Sequence, residues 1–172
     1  MSVLSGQVFL GGASGVSTWR RSVAIPALEA AGISYCNPQL PPGAWTPAME
    51  AAEMLAKDAA EVLVFVLNGE TRGVATVAEV AYYLAAGRPL ALAIADIPPG
   101  AVIEGHAVSP SEAADLNRGR LFLRTMARHH GVPVHDTVAA AIRHAIALVH
   151  SRAATLTLAT LQQILDEIRF DA

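Results

Sequence analysis

Two carboxylates are the groups in this sequence best suited to chemistry. Glu79 follows an apolar run, Val62 to Leu67, and a polar turn, Asn68 to Gly73, in a segment Thr76-Val77-Ala78-Glu79 that opens a helix. A side chain placed there stands at the carboxyl end of a parallel strand, where open α/β sheets bind their ligands. Glu53 lies one helix earlier, with Glu50 one turn before it and Lys57 one turn after it. If the end of that helix approaches the same crevice, Glu53 and Glu79 form a pair able to divide nucleophilic from acid/base or substrate-orienting work.

Each carboxylate also has a plainer explanation. Thr76 and Glu79 have the S/T-x-x-E spacing of a capping box, in which each side chain satisfies an orphan backbone donor. The helix macrodipole favours an ionised glutamate at a helix start in either case. Glu50, Glu53 and Lys57 fall near one helical face, the pattern of a solvated charge stripe. Spacing alone leaves both alternatives open at both positions.

Other chemistries have less to work with. Cys36 is the sole cysteine, which excludes an internal disulfide and suits a reducing compartment. The six histidines form no H-E-x-x-H motif, and no metal site is expected. Neither a G-x-S-x-G elbow nor a G-x-x-x-x-G-K-[ST] phosphate loop is present. Gly11-Gly12-Ala13-Ser14-Gly15 follows a strand and permits either a tight turn or the close approach of a ligand. It departs from G-x-G-x-x-G, and no acidic residue ends the second strand to hold a ribose, so dinucleotide binding is disfavoured. No cofactor is expected.

A chain of 172 residues with 53% hydrophobic and 16% charged residues fits one domain with a substantial core and apolar surface left for a homo-oligomer, a dimer or tetramer. The net charge of -3 and the scattered arginines argue against duplex nucleic acid as a partner. The amino terminus lacks a basic and apolar leader pattern, and no apolar run approaches the roughly 18 residues of a membrane span. A soluble, cytoplasmic protein is the expectation.

Apolar runs alternate with segments of helical period, the pattern of a doubly wound parallel sheet. Strands are expected at Gln7 to Leu10, Ser34 to Cys36, Val62 to Leu67, Leu90 to Ile94 and Val132 to His135. Helices are expected at Trp19 to Ala31, Pro47 to Asp58, Thr76 to Ala86, Pro110 to His130 and Thr137 to His150. This spacing predicts an α/β, flavodoxin-like, five-stranded sheet of order 2-1-3-4-5 over residues 1–150, with the loops after strands one and three facing each other across the crevice. Residues 151–172 form an appended C-terminal helix, in which Leu158, Leu161, Leu165 and Ile168 share one apolar face that packs either on its own domain or on a partner copy. The crevice loops make Gly11, Gly12, Ser14, Asn37, Asn68 and Arg72 substrate-binding candidates. Trp45, in a proline-rich loop, either stacks on a base or anchors that loop.

Phe9-Leu10-Gly11-Gly12-Ala13-Ser14, Tyr35-Cys36-Asn37-Pro38-Gln39, Val64-Phe65-Val66-Leu67 with Glu70-Thr71-Arg72, Ala78-Glu79-Val80-Ala81-Tyr82-Tyr83 and Gly87-Arg88-Pro89 together resemble the nucleoside 2-deoxyribosyltransferase-like superfamily. Asp115-Leu116-Asn117-Arg118-Gly119-Arg120 is similar to a further element of one branch. The resemblance implies a flavodoxin-like fold, an oligomer, and cleavage of the N-glycosidic bond of a nucleoside or nucleotide by a glutamate nucleophile. It puts that nucleophile at Glu79, an acidic residue that helps to hold substrate at Glu53, the sugar-side glycines at Gly11 and Gly12, and an asparagine that reaches a neighbouring subunit's site at Asn117. Two positions depart from the pattern: a first-strand tyrosine is replaced by Phe9, and a base-contacting aspartate by Arg72-Gly73. A cation at Arg72 would suit an anionic, phosphorylated substrate. The expected activity is N-glycosidic cleavage or transfer through a covalent glycosyl-enzyme; the alternative is a non-catalytic nucleotide-binding or assembly module of the same fold.

Overall fold

Aliphatic runs without polar alternation can be buried on both faces only inside a parallel sheet covered by helices. Val62–Leu67 is such a run, and all six of its residues are buried. The computed structural model describes residues 6–13, 17–41, 44 and 46–170, the side chains of 164–170 excepted. In chain order the elements are β1 (Val8–Gly12), a π-type turn (Arg20–Ala24) running into α1 (Ile25–Ala30), β2 (Tyr35–Cys36), α2 (Pro47–Ala59), β3 (Val62–Leu67), α3 (Val74–Ala85), β4 (Leu90–Ile94), β5 (Val102–Ile103), β6 (His106–Ala107), α4 (Pro110–His129), β7 (Val134–His135) and α5 (Val138–Phe170).

Five strands form one parallel sheet in the order β2-β1-β3-β4-β7, the flavodoxin-like order expected, with β7 as its fifth strand. One face is covered by α1 and α5 through Leu28, Ala141, Ile142, Ala145 and Val149. The other is covered by α2, α3 and α4 through Ala56, Val80, Leu84, Leu123 and Ala127. No helix among the described residues is long and apolar enough to cross a membrane.

Several local expectations are corrected. Gly11 and Gly12 are the last two residues of β1, paired with Phe65 and Val66, and not part of a turn. The first helix is split, because Pro26 has no N–H to continue an α-helical ladder; Ile25 N–H bonds instead to Arg20 C=O in a wide π turn. The stretch between β4 and α4 holds a small antiparallel hairpin, β5 and β6. The two expected C-terminal helices are one, since nothing between His150 and Thr155 breaks the ladder. Residues 151–163 of that helix are exposed, with Leu158 at 67% and Leu161 at 51%, so the chain's own body does not cover this part of the apolar face.

Candidate active site

The turn that precedes Glu79 is built by its own side chains and one buried arginine. Asn68 Oδ1 accepts from Glu70 N–H (3.3 Å) and Thr71 Oγ1 (3.4 Å), and its amide donates to Glu70 Oε2 (2.7 Å). Arg120, fully buried on α4, donates through Nη2 to the carbonyls of Thr71 (2.9 Å), Asn68 (3.3 Å) and Arg72 (3.3 Å), and through Nη1 to that of Leu116 (3.3 Å). Burial lowers the pKa of this guanidinium, with Asp96 opposing and Arg124 adding to the shift. The turn ends at Gly73, whose φ of 64° lies in the left-handed region that glycine adopts without strain.

Gly73 is the N-cap of α3, and that placement removes the capping box. No side-chain cap bond is made, and Thr76 is buried inside the helix three residues past the cap. Glu79 therefore sits on the second turn, not the first, where the macrodipole has largely faded. The group that meets Glu79 is Lys57. Its Nζ contacts Glu79 Oε1 directly and lies 3.5 Å from Glu53 Oε2. The Lys57 side chain is 4% exposed, whereas those of Glu53 and Glu79 are 21% and 29% exposed. The ammonium thus lies beneath two carboxylates that open to solvent, and it packs 5.3 Å from the centre of the Phe9 ring. Through this one nitrogen the two carboxylates are drawn to the same point. Arg88 fixes the backbone that carries Lys57, donating to the carbonyls of Lys57 (2.9 Å) and Ala60 (2.7 Å) at the end of α2.

Across the crevice the end of β1 is held by Arg20, also fully buried. It donates from Nε to Leu10 C=O (2.9 Å), from Nη2 to Gly12 C=O (2.8 Å) and from Nη1 to Ala13 C=O (3.2 Å), and its guanidinium lies 4.5 Å over the Trp19 ring. Burial brings its pKa down to about 10, against the pull of the Glu53 charge. The Cys36 thiol is pushed up to about 11 by burial and then by Glu53, with Lys57 opposing. The Glu53 charge is thus felt both on β2 and on the π turn.

The structure brings Glu53 and Glu79 together and gives several other candidates local duties. Gly11 is required by packing, since a Cβ there would lie 2.4 Å from Phe65 Cε1; a Cβ on Gly12 would lie 2.7 Å from Val66 C=O. Asn37 Oδ1 accepts from Gln39 N–H (3.1 Å). Arg72 pairs with Glu112 (2.8 Å) and Glu104 (3.7 Å). Asn117 accepts from Ile97 N–H (2.8 Å) and donates to Ile97 C=O (3.0 Å), which ties down the loop after β4. A groove of about 520 Å³ beside that loop is lined by Asn117, Pro98, Pro110 and Val108 and includes neither carboxylate of the pair. Ser14 and Trp45 lie outside the described residues. Among the described residues no group of three or more His, Cys, Asp or Glu side chains is placed to hold a metal ion.

Lys57, Arg20 and Arg120 are the residues that sequence reasoning missed. The only signal for Lys57 was its i,i+4 spacing from Glu53, which reads as a surface pair.

A family model described as nucleoside 2-deoxyribosyltransferase like matches residues 5–97. The comparison with curated proteins gives no match, and neither does the comparison with solved structures.

Proposed function

Since the chain belongs to the nucleoside 2-deoxyribosyltransferase-like family, we propose that it cleaves or transfers across the N-glycosidic bond of a nucleoside, with Glu79 as nucleophile. The observation that carries this reading is the convergence of Glu79 and Glu53, partly open to solvent, on the buried Lys57 ammonium at the crevice. One Glu79 oxygen forms a bond to the anomeric carbon through an oxocarbenium-like transition state as the bond to the base nitrogen breaks. The electron pair leaves with the base. Water then attacks the anomeric carbon, the ester bond breaks, and Glu79 regains its carboxylate; the water's proton balances the base. A second nucleobase in place of water makes the reaction a transfer. Glu53 orients the sugar.

Arg72 favours an uncharged sugar over a phosphorylated one. Its guanidinium is already matched by Glu112 and Glu104, so a phosphate would have to displace two carboxylates to use it.

Incubation with a panel of nucleosides and nucleotides, with free base followed by chromatography, tests the reading. Wild type is expected to release base from a nucleoside and Glu79→Gln to release almost none. Equal release by both removes Glu79 as nucleophile. No release from any substrate leaves the non-catalytic binding module as the better account.

A further inference from the structure

We propose that Lys57 is the positioning residue of this site: its ammonium holds the Glu79 carboxylate in place at rest and passes to Glu53 when Glu79 becomes an ester. The inference rests on the reading of Glu79 as nucleophile.

An exposed Glu and Lys four residues apart on a helix would contribute little and would stay in water. Lys57 does the reverse. Its side chain is nearly sealed from solvent, it packs against the Phe9 ring, and it reaches Glu79 on a different helix, 22 residues along the chain. Arg88 holds the Lys57 backbone, so the ammonium approaches the pair from a fixed root.

The count of charges is the informative part. A buried ammonium needs one carboxylate to offset its desolvation, and here it has two, which leaves the cluster at -1. The surplus charge is the one that attack consumes. When a Glu79 oxygen bonds to the anomeric carbon, the carboxylate becomes a neutral ester and the departing base carries the electron pair away. With Glu79 as its only partner, Lys57 would then be an unpaired buried cation, the most costly arrangement available to it. Glu53, 3.5 Å from Nζ, prevents this: the cluster passes from -1 to neutral, and the ammonium remains paired at each stage. The same contact keeps Glu79 from rotating out of line before substrate arrives, a misplacement that alone costs up to about 100-fold in rate.

The test uses the substrate best cleaved in the panel above and four variants: Lys57→Met, which keeps the stem over Phe9 without the charge, Lys57→Arg, Glu53→Gln, and Lys57→Met with Glu53→Gln. Because Lys57 touches the nucleophile and not the substrate, Lys57→Met is expected to lower kcat about 10- to 100-fold with KM within about threefold. Lys57→Arg is expected to recover most of that loss. Glu53→Gln raises KM, because Glu53 orients the sugar, and also lowers kcat; adding it to Lys57→Met costs little more in kcat, because no ammonium is left to pass over. For Lys57→Met, a rise in KM at unchanged kcat, or kcat losses that simply multiply in the double variant, overturns the proposal. A second measurement is independent of turnover and also covers poor folding of Lys57→Met. In thermal melts, Glu79→Gln should raise the midpoint in the Lys57→Met background, where two carboxylates face each other unneutralised, and lower it in wild type. The same effect in both backgrounds refutes the contact. Base release by wild type with unaffected Lys57 variants sinks this inference alone, whereas no release by wild type sinks the proposed function and this inference with it.

Discussion

Replacing Arg120 by Met removes the guanidinium that holds the turn before α3 while keeping much of the side chain's bulk. Of its four carbonyl contacts, the one to Thr71 at 2.9 Å is of full strength, and those to Asn68, Arg72 and Leu116, all at 3.3 Å, lie past the usual range. A charged donor contributes about 1.5–3 kcal/mol in a good bond, and each long contact adds only about 0.5 kcal/mol. Against this stands relief of the buried charge, whose desolvation is evident in the lowered pKa and whose Nε has no partner among the described residues. The net expectation is a loss of about 2–3 kcal/mol. For a chain of this size that corresponds to a fall in Tm of about 5–10 °C. Urea unfolding followed by far-UV circular dichroism gives the stability, and base release well below both melting midpoints gives the consequence for Glu79. Arg120→Lys should fall between wild type and Arg120→Met, because one ammonium cannot fork across the carbonyls of the turn. A loss within about 0.5 kcal/mol, the range of an ordinary surface substitution, would refute the claim that Arg120 holds the turn.

Two further outcomes are expected. Gly11→Ala places a Cβ against the Phe65 ring and should cost about 1–3 kcal/mol by overpacking, with Phe65→Leu in the same chain recovering part of it in urea unfolding. His144, half-buried and 3.2 Å from His135, has its pKa lowered first by burial and then by the His135 charge. The unfolded chain therefore takes up the proton first, so this contribution to stability is full above about pH 6.5 and is lost as the pH falls through the lower folded value. Tm should drop between pH 7 and pH 5, and less steeply in His144→Gln; an equal drop in both proteins counts against the histidine.

The sheet was legible because β3 and β4 are buried on both faces and therefore read as unbroken apolar runs. The start of α3 was not. Thr76 and Glu79 have the spacing of a cap, but Gly73 takes the left-handed conformation and caps the helix three residues earlier than Thr76 would. Sequence spacing cannot tell a cap from an interior threonine when a glycine upstream can end the turn first. The hairpin β5 and β6 was missed because each strand has two residues, too few for an alternating pattern. At the candidate site, Glu79 was singled out because it follows β3 and its turn, and Glu53 because it lies one helix earlier. Lys57 could not, because its burial depends on Phe9 in β1 and Glu79 in α3 arriving at the same place, and no local pattern encodes that meeting. Arg20 and Arg120 escaped for a related reason: as arginines scattered in pairs, Arg20 with Arg21 and Arg118 with Arg120, they suggest solvent, and only the carbonyls converging on them show otherwise.

The position of Arg120 separates heredity from mechanics. The family signature ends at residue 97, and Glu53, Lys57 and Glu79 all lie within it. The side chain that shapes the turn ahead of Glu79 comes from α4, beyond that limit. A graft that moved only the signature segment onto another scaffold would carry the Glu53, Lys57 and Glu79 cluster without its brace. The unit to transplant, shuffle or compare is the segment through α4, and a chimera joined between β4 and α4 would inherit the cluster without the grip that shapes the turn ahead of it.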